Sequence, residues 1–231
     1  GEYVAGAAKG AKNAVCITLG TGVGAGIVID GKIYSGSNFG GAEVGHTVIS
    51  VDGPQCTCGR KGCFEVYSSA TGLVRMTKEA LAANPDSAMK DEERISARTA
   101  FNYMRAGDAT AKQVVDDYIK YLAAGITNTI NIFQPDILCI GGGVCNEGET
   151  LLAPVREYVD AQQYAMNSTK KDEDRPRTAR QRRGHHRRGA AGHREKIKAE
   201  EKNPCVFRTR AVFYAAGHLC SARRNSFLIW F

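Results

Sequence analysis

The sequence predicts an α/β domain with a mostly parallel core. Two observations carry this. A short β-branched strand runs into glycines near the start, and a long helical stretch, a buried strand and a second glycine turn follow it in order. Glycine and charge are also distributed as in a globular chain, with 24% charged and 43% hydrophobic residues over 231 positions. Apolar runs such as Ile137 to Val144 are far too short to span a bilayer. The start, Gly1-Glu2-Tyr3-Val4, has no basic segment followed by an apolar core, so no secretory signal is expected. Membrane, collagenous and small disulfide-scaffold classes are excluded.

The elements follow from pattern. Asn13 to Leu19 is apolar, β-branched and ended by glycine, which predicts a strand. Gly26 to Tyr34 reads as a hairpin turning at Asp30-Gly31. From Glu65 to about Leu81 the residues favour helix, with Val66, Leu73, Met76 and Leu81 sharing a face, and Pro85 ends the stretch. A polar connector runs to about Glu93. Val114, Tyr118, Leu122, Ile126 and Ile130 recur every four residues and predict a helix over 110–133, broken by Gln134-Pro135-Asp136. Ile137 to Ile140 reads as a buried strand, and Glu149 to Gln163 as a final helix.

Two glycine loops are candidate anion sites. Gly20-Thr21-Gly22-Val23-Gly24-Ala25-Gly26 joins two predicted strands. Its alternate glycines let the backbone approach a ligand with N–H groups turned to anionic oxygens, and Thr21 adds a hydroxyl. No Gly-Lys-Ser/Thr follows, so it is not a Walker A loop, and a hairpin follows where a dinucleotide fingerprint needs a helix. The same glycines also suit a tight hairpin corner. Gly141-Gly142-Gly143 follows a buried strand and precedes a helix, where open α/β sheets bind ligands.

The strongest chemical signal is Cys56-Thr57-Cys58-Gly59-Arg60-Lys61-Gly62-Cys63, with His46 ten residues before it. Three thiols and an imidazole match the donors of a closed tetrahedral zinc site. A disulfide or buried free thiols are the other readings, the former disfavoured in a chain with no export signal. Cys16, Cys139 and Cys145 are read as small core residues. Glu43 and His46 share one glycine-rich segment, and Glu65 follows Cys63 by two residues. Rigidly held carboxylates of this kind suit hydrogen bonds to sugar hydroxyls; the bland alternative is a solvated surface charge.

The run from Leu19 to His46, followed by Cys56-x-Cys58-Gly59-x-x-Gly62-Cys63-x-Glu65, resembles the ROK family of sugar kinases and sugar-responsive repressors. Residues 1–170 look like the C-terminal lobe of a bacterial ROK kinase. The resemblance implies a lobe of an actin-like (ribonuclease H-like) ATPase fold bearing a small zinc knuckle. It implies structural Zn2+ on His46, Cys56, Cys58 and Cys63, and hexose contacts from Glu43, His46 and Glu65. Gly20, Thr21, Gly22 and Gly24 would line the phosphates of ATP with Mg2+, and Gly141, Gly142 and Gly143 the adenosine. The implied reaction is phosphorylation of a hexose, glucose to glucose 6-phosphate, in a cytoplasmic homodimer with no membrane partner. The family's catalytic Asp lies in an Asn-Asp pair upstream of a Gly-Glu like Gly1-Glu2, so the chain is expected to begin after it and to be inactive alone. The alternative is a sugar-sensing repressor without its DNA-binding domain.

The charge splits sharply. Residues 1–170 hold 15 Lys+Arg against 18 Asp+Glu, a net −3, and residues 171–231 hold the remaining 16 against 6, a net +10. A genuine basic tail would make a nucleic-acid-binding protein the third reading. Back-translated and read from the second base of each codon, Gln181 to Gly192 permits Asn-Asp-Ala-Gly-Ile-Ile-Gly-Ala-Ala-Leu-Leu-Gly, which resembles the C-terminal helix of ROK kinases. Lys170-Lys171 is a natural slip point, an adenine run in the codons. Residues 171–231 are therefore expected to be out of frame and disordered, and nucleic acid is not expected as a partner. Sequencing the encoding DNA tests this: an adenine run at these two codons with the helix in the next frame is the expected result.

Overall fold

The computed structural model describes residues 1–164 and 206–208. A short helix, α1 (Glu2–Ala5), precedes three strands, β1 (Ala14–Leu19), β2 (Val23–Ile29) and β3 (Lys32–Ile33). Helices α2 (Phe64–Ser68), α3 (Ala70–Ala83), α4 (Thr99–Arg105) and α5 (Ala109–Phe133) follow, then β4 (Ile137–Gly141), α6 (Glu149–Gln162) and β5 (Val206–Arg208). No helix among the described residues is long and apolar enough to cross a membrane.

The five strands form one sheet in the order β3-β2-β1-β4-β5. Only β1 and β4 run parallel, from Ala14 beside Ile137 to Thr18 beside Gly141; the other three pairings are antiparallel. The expected mostly parallel core is thus corrected. The glycine turn after β1 is short enough to close a hairpin, which forces β2 antiparallel, whereas the long helical crossover returns the chain parallel at β4. Asp30 (φ 49°) and Gly31 (φ 77°) make the predicted turn, both residues left-handed as a two-residue hairpin requires.

β1 alternates. Val15, Ile17 and Leu19 face the helices, while Ala14 and Cys16 face a thinner layer built from Tyr3, Ala7, Ala8 and Ala11. Cys16 and Cys139 are register partners across β1 and β4 on this second face. Cys139 is buried and Cys16 and Cys145 are half-buried, as small core residues would be.

α5 is the spine of the helical layer. Its predicted stripe (Val114, Tyr118, Leu122, Ile126, Ile130) is buried against the sheet and against α2, α3, α4 and α6. Asp108 caps it by accepting from Ala111 N at 2.7 Å and also takes Ser87 Oγ at 2.8 Å. Its carboxyl suffers desolvation, but these bonds outweigh that and hold it below the usual range.

The predicted helix from Glu65 to Leu81 is two helices. Ser69 (φ −84°, ψ 166°) breaks it and caps α3, its Oγ accepting from Gly72 N at 2.9 Å. Serine's readiness to bond its own backbone makes this a cap rather than a helical interior. α4 has no counterpart among the predicted elements. Three residues of the basic tail form β5; the remainder of that tail lies outside the described residues.

A glycine sits in the middle of α5 for a steric reason. A Cβ on Gly125 would lie 2.2 to 2.5 Å from the ring of Phe64, which is fully buried. Replacing a helical glycine by alanine normally gains about 1 kcal/mol, whereas overpacking costs about 1–3 kcal/mol. The ring has no open side to move into, so Gly125→Ala is expected to lower the urea midpoint; a raised midpoint would show that the notch is not tight.

Candidate functional site

The two glycine loops meet. β1 and β4 end side by side, with Thr18 opposite Gly141. Gly142 (φ 103°) lies against β1 so closely that a Cβ would fall 2.3 Å from Leu19 O. Gly143 then opens a 3-10 turn, Gly143–Glu147, ahead of α6. Both loops therefore stand at the carboxyl ends of adjacent parallel strands, the usual ligand edge of an α/β sheet. The first loop is shorter than its glycine pattern implies. Gly20, Thr21 and Gly22 form the turn, closed by Gly20 N donating to Gly22 O at 3.0 Å. Gly24 and Gly26 lie in β2, paired with Thr18 and Cys16.

This first loop is fastened on three sides. Ala70 N, at the start of α3, donates to Gly20 O at 2.8 Å. Glu65 Oε2 accepts from Val23 N at 2.9 Å. Gly45 presses on the Val23 carbonyl, where a Cβ would come within 2.1 Å of the oxygen. The sequence points to neither Glu65 nor Gly45 as a loop support. The available signal is the missing side chain at Gly22, since a Cβ there would sit 2.3 Å from Glu65 Oε2.

Glu43 precedes a 3-10 turn, Val44–His46, and is exposed, its carboxylate without a hydrogen-bond partner among the described residues. Its neighbours carry backbone strain: Phe39 (φ 61°) and Ala42 (φ 70°) are left-handed without being glycine, as is common where a loop is held for function. After His46 the chain is stitched to the cysteine loop, with Phe64 N donating to Thr47 O at 2.8 Å and Ile49 N to Gly62 O at 2.9 Å.

The four predicted ligands converge. The donor atoms of His46, Cys56, Cys58 and Cys63 all lie within 4.8 Å of one another. Cys58 and Cys63 Sγ are 3.6 Å apart, and His46 Nδ1 is 3.6 Å from Cys56 Sγ. Zinc–sulfur bonds of about 2.3 Å give a tetrahedral edge of about 3.8 Å, so both spacings suit a metal. A disulfide needs about 2.05 Å, and these cysteines are free thiols. Left-handed turns at Gly59 (φ 89°) and Gly62 (φ 68°) fold the loop tightly enough to bring Cys63 back. At Gly62 a Cβ would overlap Ser50 O at 1.5 Å.

The thiols are electrostatically unequal. A hydrogen bond from the Arg60 backbone holds the exposed Cys58 thiol below its ordinary range. Burial, reinforced by the Cys58 and Cys56 thiols, pushes Cys63 up to about 12. Three crowded thiols want a divalent cation, which removes both the burial cost and the mutual repulsion of thiolates. The donor set thus fits Zn2+.

A surface cavity of about 730 Å3 lies elsewhere, lined by Val74, Lys78 and the 93–96 segment. None of the predicted site residues borders it.

A family model described as the ROK family matches residues 1–195, past the boundary at residue 170 that the charge pattern sets. The chain is 42% identical over 171 residues to a glucokinase from Halalkalibacterium halodurans, covering 72% of this chain and 51% of that one. It is 28% identical to a xylose repressor from Bacillus subtilis, covering 72% of this chain and 40% of that one. Among solved structures, it resembles a ROK family glucokinase from Streptomyces griseus in complex with glucose and AMPPNP, with a TM-score of 0.62, 36% identity, and 69% and 54% coverage. The chain spans about half the length of the glucokinases it matches. The fold is that of an actin-like ATPase lobe, as the motifs imply.

Proposed function

Because the chain belongs to the ROK family, we propose that it carries the hexose-contacting surface and part of the nucleotide site of an ATP-dependent sugar kinase. The reaction served is transfer of the ATP γ-phosphoryl group to the 6-hydroxyl of glucose. One observation carries this reading: two glycine loops meet at the ends of β1 and β4, and Glu65 is bonded to the first of them.

In this reading Gly20, Thr21, Gly22 and Gly24 face the phosphates and Gly141, Gly142 and Gly143 the adenosine. Backbone N–H groups in the turn supply donors that need no reorganisation when phosphate charge arrives. Glu43, His46 and Glu65 accept or exchange hydrogen bonds with sugar hydroxyls. His46 turns Nδ1 toward Cys56, which leaves Nε2 for the hexose. His46, Cys56, Cys58 and Cys63 would hold Zn2+, which would fix the orientation of that ring, and Mg2+ bound with ATP would neutralise phosphate charge. Phosphoryl transfer depends on positioning and charge stabilisation, and those are the parts this chain contributes. The base is assigned to an Asp outside these 231 residues, in the Asn-Asp pair that the resemblance sets ahead of Gly1-Glu2. The complete protein is cytoplasmic and homodimeric. Residues 171–231 are assigned out-of-frame translation and no part in ligand binding or catalysis.

A xylose repressor relative favours a second reading, a sugar sensor. The two differ over ATP, which a repressor has no need to hold. Calorimetric titration of the 231-residue chain is expected to detect binding of both glucose and a non-hydrolysable ATP analogue, without glucose phosphorylation. Binding of xylose with no response to the analogue would move the assignment to the repressor. Metal analysis after dialysis is expected to return one zinc per chain, falling well below one in Cys58→Ser; full zinc in that variant would refute the ligand set.

A further inference from the structure

We propose that Glu65 is a positioning residue that ties the hexose to the phosphate loop, so that either ligand strengthens binding of the other. The inference rests on the sugar-kinase reading for its two ligands and on the structure for the tie between them. The two oxygens of the Glu65 carboxylate have different surroundings. Oε2 accepts from Val23 N at 2.9 Å, at the exit of the Gly20–Gly22 turn. Oε1 has no hydrogen-bond partner among the described residues, and the side chain is half-buried. One oxygen therefore holds the loop while the other is left to take a hydroxyl donor.

Val23, the residue held by Glu65, is fixed at both of its peptide groups. The Val23 carbonyl is backed by Gly45, at whose position a Cβ would approach to 2.1 Å. Gly22 leaves room for the carboxylate, its absent Cβ falling 2.3 Å from Oε2. The other end of the turn is anchored independently by Ala70 N on Gly20 O. Glu65 is rooted as firmly. It stands in the first turn of α2, directly after Cys63, whose side chain joins the thiol cluster, and Phe64, whose ring fills the notch at Gly125.

Linkage follows from sharing. A sugar hydroxyl on Oε1 restricts the carboxylate, which restricts Val23 N–H and the loop. A nucleotide that orders the loop restricts the same carboxylate from the other side. Each ligand then loses less freedom when the other is already bound, and the coupling is reciprocal.

The test uses amide exchange and ligand titration on the 231-residue chain. Without ligands, Glu65→Ala is expected to speed exchange of the Val23 amide at least ten-fold while leaving the Ala70 amide unchanged. Glu65→Gln, which keeps a carbonyl acceptor, is expected to restore most of the protection. With ligands, saturating glucose is expected to tighten binding of the ATP analogue about five-fold or more, an effect absent in Glu65→Ala. Unchanged Val23 exchange in Glu65→Ala overturns the positioning role whatever the ligands do. Glucose and analogue binding with independent affinities overturns the coupling and leaves the kinase reading standing. Binding of neither ligand overturns the kinase reading and with it the coupling, and the exchange data then decide the loop-holding role alone.

Discussion

Three consecutive residues lock the architecture together. Cys63 turns its sulfur into a cluster with His46, Cys56 and Cys58. Phe64 drives its ring into the side of α5, where Gly125 makes room for it. Glu65 reaches the opposite way to the backbone of Val23. Successive side chains at the start of a helix point in different directions, so the N-cap and first two residues of α2 anchor the thiol loop, the spine and the first glycine loop respectively. The spine in turn covers the sheet whose strand ends carry both glycine loops. The three are adjacent in the chain, Cys63 as the N-cap of α2 and Phe64 and Glu65 as its first two residues.

This arrangement explains why glycine is needed where it is. At Gly22, Gly45, Gly62, Gly125 and Gly142 a Cβ would meet a neighbour at 2.3 Å or closer. Four of these contacts are between segments distant in sequence, and three of those four surround the Val23 turn or the strand ends beside it. Around the Val23 turn and the strand ends, glycine lets segments distant in sequence approach backbone to backbone and side chain to backbone.

Local periodicity made the long helix legible. The four-residue spacing from Val114 to Ile130 marks α5 almost to its ends, and Asp30-Gly31 marks its turn. The convergence of His46 with Cys56, Cys58 and Cys63 was legible as well, because thiols so close in sequence with a nearby imidazole suggest one ligand set. Strand direction was less so. Alternating glycines after β1 look the same whether they make a long loop or a short turn followed by a strand, and only pairing with β1 decides it. The break at Ser69 was hidden for a related reason. Helix formers surround it, and the extended conformation is supported by the local cap from Gly72 N and by the bond from Ala70 to Gly20, fifty residues away. α4, seven residues long, is under two turns and too short to show a period. Glu65 as a loop support left only an indirect trace, the glycine at position 22, since its partner is the backbone amide of Val23.

The parallel pairing of β1 with β4 also sets a schedule for the nascent chain. Asp136, just before β4, accepts from the amides of Lys12 and Asn13, the latter 123 residues earlier. At about 5–20 residues per second, the β1–β2 hairpin, complete at Ile29, waits roughly 5–22 s on the ribosome before β4 begins at Ile137. During that interval the inner edge of β1 has no partner strand, and the two glycine loops do not yet exist as one surface. The β1 edge is therefore the part of the newborn chain with most need of a chaperone, and β4 is the segment whose synthesis ends that exposure.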